Sequence, residues 1–161
     1  MTLRSKLAAF KIDRRRISVA VFVGERLEFT DSRQLSLIVS KALENAKAYV
    51  DWVIRNFEID SAAFESSIPR RGTWKSRFAP EMLKQFRDTG IPVFEAKLAP
   101  ILTAFAHPPL RRRLALRDVI CAIWPVISQK DSDVFRLDAA ALGLYVQIER
   151  MFEASLTTND S

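Results

Sequence analysis

Asp13, Glu65 and Asp138 each stand at the edge of an element that the residue pattern predicts. Asp13 closes the apolar stretch Leu7-Ala-Ala-Phe-Lys-Ile-Asp13, and Glu65 falls near the end of the strand-like run Ser61-Ala-Ala-Phe-Glu65-Ser-Ser-Ile68. Asp138 opens an amphipathic segment, Asp138-Ala-Ala-Ala-Leu-Gly-Leu-Tyr145. Hard divalent cations take oxygen ligands, and Mg²⁺ is often held by a few carboxylates together with water and a substrate phosphate. Three acids gathered into one pocket could therefore hold metal against a phosphate backbone. Taken singly, each acid has a plainer role. Asp13 suits a turn and could pair with Arg15 or Arg16, Glu65 could be an exposed strand-end acid, and Asp138 could cap its helix and favour the positive end of the dipole.

Basic residues surround these positions. They cluster as Arg14-Arg15-Arg16, as Arg70-Arg71 with Lys75 and Arg77, and as Arg111-Arg112-Arg113 with Arg117. The formal net charge is +6 and the pI about 9.8. Such clusters are an electrostatic footprint of nucleic-acid contact, and equally of a solvated basic surface. Arginine forks suit phosphate oxygens, so Arg111 to Arg113 could grip a backbone or simply form a solvated helix start. Trp74 lies among the second cluster, where its ring could stack on a splayed base or anchor a loop over the core. Trp52 and Trp124 read as packing residues, with an inter-subunit contact as the other role for Trp52. His107 precedes two prolines and reads as a loop residue. Cys121 is the only cysteine, which excludes an internal disulfide and fits a reducing, cytoplasmic setting.

At 161 residues with 48% hydrophobic content, the chain has material for one cored domain. Residues 1–153 are expected to form it, with 154–161 a loose polar tail. No apolar run approaches the roughly 20 residues that span a bilayer, and no export signal is read at the N-terminus.

The elements that must position the acids are legible from periodicity. Leu7 to Ile12, Ile17 to Val23 and Arg26 to Thr30 read as three successive antiparallel strands, with the arginine run as the first turn. Asp31-Ser32 offers capping chemistry before a long helical stripe from Leu35 to Phe57 that includes Ile38, Ala46, Val50 and Val53. Ser61 to Phe64 reads as a buried strand, parallel to an earlier one by the usual crossover. A helix is predicted from about Pro80 to Asp88, ended by Gly90, then a strand over 91–95 whose Pro92 suggests an edge or strand-start position. Helices are predicted over 99–106 and 114–123, and from Asp138 to about Phe152. The last of these is expected to bury Ala141, Leu144, Tyr145, Ile148, Met151 and Phe152.

This order, with the three acids at the first strand, the fourth strand and the last helix, resembles the ribonuclease-H-like superfamily, and within it the RuvC-type Holliday-junction resolvases and their relatives. The likeness rests on Asp13 with the following Ile17-Ser-Val-Ala-Val, on Ala62-Ala-Phe-Glu65, and on Leu137-Asp138-Ala-Ala-Ala-Leu-Gly-Leu, and it spans residues 7 to 152. It implies an α/β fold: a mixed sheet of about five strands, three antiparallel and then parallel additions, flanked by helices. It also implies a structure-selective endonuclease acting on branched nucleic acid, DNA more than RNA, as a homodimer. Asp13, Glu65 and Asp138 would hold two Mg²⁺ or Mn²⁺ ions, one helping to generate the attacking hydroxide and the other stabilising the leaving oxygen. The sequence departs from the pattern in two places. Arg14-Arg15-Arg16 replaces a glycine-containing loop, and Phe135 stands where resolvases often carry a further acid, with Asp131 and Asp133 nearby. These departures favour the alternative of an inactive nucleic-acid-binding or protein-interaction module.

Overall fold

β1 (Lys6–Asp13) and β2 (Arg16–Val23) carry apolar residues at nearly every position because both faces of each strand are covered. The computed structural model describes residues 4–13, 15–65, 74–96 and 134–158. β1 and β2 form a hairpin, paired from Lys6 and Val23 down to Asp13 and Arg16, so the turn is only two residues long. β3 (Arg26–Gln34) pairs antiparallel with β2, through a register shift at Val21/Phe22. Helix α1 (Val39–Phe57) then carries the chain back, so β4 (Ser61–Glu65) lies parallel to β1. Helix α2 (Trp74–Asp88) leads to β5 (Val93–Ala96), parallel to β4. The sheet order is β3-β2-β1-β4-β5, a five-stranded mixed sheet of the expected class. Helix α3 (Val134–Thr158) is the last described element.

Strand alternation sorts the core into two layers. Ala8, Phe10, Ile12, Val19, Val21 and Phe64 face α1 and α2, where they meet Ala46, Val50, Val53, Met82 and Phe86. Leu7, Ala9, Ala20, Phe22 and Ala63 face α3 and its Ala139, Ala140 and Leu142. Phe10 and Phe86 are fully buried with ring centroids 5.5 Å apart. Each such side chain contributes about 1.5–3 kcal/mol by leaving water.

The α3 layer depends on a close approach. A Cβ on Gly143 would come within 2.1 Å of the Phe22 ring, so only glycine lets the helix settle on β2. The three alanines Ala139 to Ala141 are buried in the same layer, whereas Ile148 is 51% exposed rather than in the core.

Element ends differ from the sequence reading at three points. Asp31 and Ser32 are residues of β3, which pairs as far as Gln34, and α1 starts at Val39 with no side-chain cap. Strand pairing with β2 takes precedence there over the local capping preference. Helix α2 begins at Trp74, six residues before Pro80, so the proline lies inside the helix, where it gives up the bond to the carbonyl four residues back and crowds it. Helix α3 begins at Val134 and runs to Thr158, so Asp138 lies a full turn inside it and residues 154–158 continue it. Pro92 immediately precedes the edge strand β5, and Gly90, at φ +73°, follows α2 as expected. The helices predicted over 99–106 and 114–123 lie outside the described residues.

Candidate functional site

The parallel register of β1 and β4 pairs Phe10 with Phe64, which makes the next residues along, Lys11 and Glu65, neighbours. Both follow the alternation onto the α3 side of the sheet, because Ala9 and Ala63 two residues earlier belong to that layer. Asp138 comes down on them from the second turn of α3. Glu65 and Asp138 are thus brought to either side of Lys11, and both are buried.

What stands between them was missed in the sequence. Lys11 Nζ donates a hydrogen bond to Asp138 Oδ2 at 2.7 Å and lies 3.5 Å from Glu65 Oε2. The lysine side chain is 2% exposed, so one ammonium is shut in with two carboxylates. The signal was a lone charge in an otherwise apolar strand: Ala8-Ala9-Phe10-Lys11-Ile12. A lysine on a strand covered on both faces is placed only if a carboxylate meets it.

Asp13 closes β1 two residues beyond Lys11, backbone-paired with Arg16. Its side chain, the whole of Arg14, and Arg70, Arg71, Arg111, Arg112 and Arg113 lie outside the described residues, as do the side chains of Trp74 and Lys75 in the first turn of α2. Arg15 is exposed at the tip of the β1–β2 turn with φ +60°.

Among the described residues no three His, Cys, Asp or Glu side chains form a metal-holding group. Among the described side chains, two carboxylates with a lysine nitrogen within contact distance of both do not by themselves fit the pair of divalent ions that the resemblance implies. The ammonium already supplies positive charge where a cation would sit, and its bond to Asp138 takes up a carboxylate lone pair that a metal would need.

A second constellation lies across the sheet. Asp31 Oδ2 accepts from the Tyr49 hydroxyl at 2.7 Å and from Arg33 Nε at 3.1 Å. Arg136, in the first turn of α3, comes within 3.9 Å of the other carboxylate oxygen. Partial burial works to raise the Asp31 pKa, but the bonds from Tyr49 and Arg33 outweigh it and hold the carboxyl below its ordinary range. Burial, reinforced by the Asp31 carboxylate, pushes the Tyr49 hydroxyl well above its ordinary value. Trp52, expected in the core or at an inter-subunit contact, is 41% exposed beside this group.

A five-stranded mixed sheet in this order, with helices on both faces, is a ribonuclease-H-like fold. The solved structures it resembles bear this out. RuvC of Thermus thermophilus in complex with a Holliday junction substrate matches with TM-score 0.70 at 16% identity, over 91% of this chain and 96% of that one. The Holliday junction resolvase of fowlpox virus, solved with junction DNA, matches with TM-score 0.59 at 14% identity, over 89% and 97%. The yeast mitochondrial Holliday junction resolvase Ydc2 matches with TM-score 0.61 at 10% identity, over 93% and 82%. No family model matches the chain, and no curated protein does. Among the described residues no helix is long and apolar enough to cross a membrane.

Proposed function

We propose that this chain binds branched DNA with a resolvase fold and does so without metal-dependent hydrolysis. The observation that carries the reading is the Lys11 ammonium enclosed with Glu65 and Asp138, 2.7 Å from one and within ion-pair distance of the other. Hydrolysis by two metals needs bare carboxylates that can exchange water for phosphate. Here the carboxylates are engaged by the protein's own cation.

Binding draws support from the fold and from charge. Structural neighbours were solved on Holliday junctions, and this chain carries an excess of six positive charges. Arg15 keeps a long cationic side chain at a backbone angle that costs an L-residue about 1 kcal/mol and glycine almost nothing. An arginine at a strained position is consistent with a use for the charge. Arg14, Arg16 and the clusters at Arg70-Arg71, Trp74-Lys75 and Arg111 to Arg113 extend the proposed contact surface. A junction presents symmetric strands, so a homodimer is part of the reading; the single cysteine fits a reducing, cytoplasmic compartment.

The second reading is a Mg²⁺- or Mn²⁺-dependent endonuclease using Asp13, Glu65 and Asp138. It is favoured by Glu65 and Asp138 already sharing a pocket, with Asp13 two residues beyond Lys11 on the same strand. One experiment separates the two. A labelled four-way DNA junction is incubated with purified protein and Mg²⁺ or Mn²⁺, and run on native and denaturing gels. A retarded band with intact strands is expected. Nicked strands that disappear with Asp138→Asn would establish the endonuclease instead.

A further inference from the structure

The side chain of Arg33 sits over two aromatic rings and is tied down there by Asp31. Its Cζ is 4.6 Å from the Tyr49 ring centre and 5.3 Å from that of Trp52, and those rings are nearly parallel at 15°. Asp31 fixes the other end of the group by accepting from Nε, and the same carboxylate is locked by the Tyr49 hydroxyl. A planar guanidinium anchored at Nε and in contact with two rings loses less freedom on binding than a free one would. The Arg33 side chain is nevertheless 56% exposed.

This platform floors an open cavity of about 420 Å³, lined also by Gln34, Asn45 and Ile17. That volume suits a small planar ligand. The cavity adjoins the arginine turn. Leu35 N donates to the Arg15 carbonyl at 2.6 Å, and Gln34 is paired with Arg16. A flat cationic surface backed by aromatics, with amide side chains at the rim and arginines alongside, has the chemistry of a nucleotide subsite. The base stacks on the plane, the amides reach its edge, and the arginines take its phosphates.

We infer that Arg33, Tyr49 and Trp52 form a stacking subsite for an unpaired nucleotide, flanked by phosphate contacts from Arg15 and Arg16. The inference rests on the reading that the chain binds nucleic acid and adds what part of it is recognised: a single-stranded base at or near a branch. Tyr49 packs on the α1 side of the sheet, whereas Lys11 faces the last helix, so base stacking does not depend on hydrolysis at the acidic group.

The test uses the full chain, a labelled oligothymidylate and a blunt four-way junction, with affinities measured by anisotropy. Arg33→Lys keeps the charge and removes the plane; Trp52→Ala removes the ring beneath. Both variants are expected to weaken oligothymidylate binding about ten-fold or more, as loss of one stacked base does, and to leave the blunt junction unchanged. Circular dichroism matching the parent shows that the fold is kept, and Asn45→Ala, on an exposed helix position, provides a third variant should either fail to fold. Parental affinity for oligothymidylate in these variants overturns the subsite while leaving the proposed function standing. Equal losses on both ligands overturn it in favour of simple charge. A drop in sedimentation mass with Trp52→Ala overturns it in favour of self-association through the exposed Leu37, Ile38 and Trp52. Absence of binding to either ligand by the parent protein removes the proposed function and the subsite together.

Discussion

Lys11 and Asp138, 127 residues apart in the chain, meet at 2.7 Å in the interior. The pair joins the central strand to the last helix, and Glu65 makes it a triad. A buried ion pair is weakly stabilising as a whole, because desolvation offsets attraction, but breaking one partner is costly. Lys11→Met leaves two buried carboxylates facing each other. It is expected to lower unfolding stability by about 3–5 kcal/mol at neutral pH, read by urea denaturation. Adding Asp138→Asn should return part of the loss; additive losses would show that the three groups are not coupled.

Gly143 is expected to tolerate no side chain. Alanine in a helix interior ordinarily gains up to about 1 kcal/mol over glycine. Here its Cβ would sit 2.1 Å from the Phe22 ring, so Gly143→Ala should destabilise by about 1–3 kcal/mol through overpacking. Phe22→Leu in the same background should recover part of it. A thermal midpoint raised by Gly143→Ala alone would mean that α3 does not lie so close to β2.

These two sites show what the sequence made legible and what it did not. The strands, the long helix and the parallel return of β4 follow from apolar periodicity, which burial enforces directly. Glu65 stands at the end of such a strand, whereas Asp138 lies a turn inside its helix. Lys11 could not be placed by pattern, since its partners are 54 and 127 residues away and only strand register and helix docking bring them in. Asp31 misled for a related reason: its capping chemistry is real, but pairing with β2 and the hydroxyl of Tyr49 claim it. The start of α3 was set too late because Asp138 suits a helix opening, whereas a buried ion pair needs it a turn further in.

Tyr49 links stability to alkaline pH. Its folded pKa is raised above the unfolded value of 10.0, by burial and by Asp31, so the hydroxyl's contribution is complete below about pH 10 and is lost as pH rises beyond it. Asp31, whose folded pKa is depressed, contributes above its unfolded value of 3.8 and loses that contribution as pH falls through the folded one. Tyr49→Phe should therefore cost about 1 kcal/mol near neutrality and flatten the decline above pH 10. A parental and a Tyr49→Phe melting profile that run parallel from pH 8 to 11 would contradict this.

Arg15→Gly separates folding from binding. Relief of the φ +60° conformation should stabilise the β1–β2 turn by up to about 1 kcal/mol. The same change should weaken junction binding and lower the salt slope by about one phosphate contact. Affinity measured from low to moderate salt checks it, and an unchanged slope would take Arg15 off the contact surface.

In the function proposed above, the Lys11 ammonium takes the place of a metal between Glu65 and Asp138. A crystal of the parent protein soaked in Mn²⁺ and measured at the manganese absorption edge tests it most directly. The account predicts no anomalous peak between the two carboxylates and Lys11 Nζ within hydrogen-bond distance of Asp138. A manganese peak bridging Glu65 and Asp138, with the lysine swung away, would contradict it.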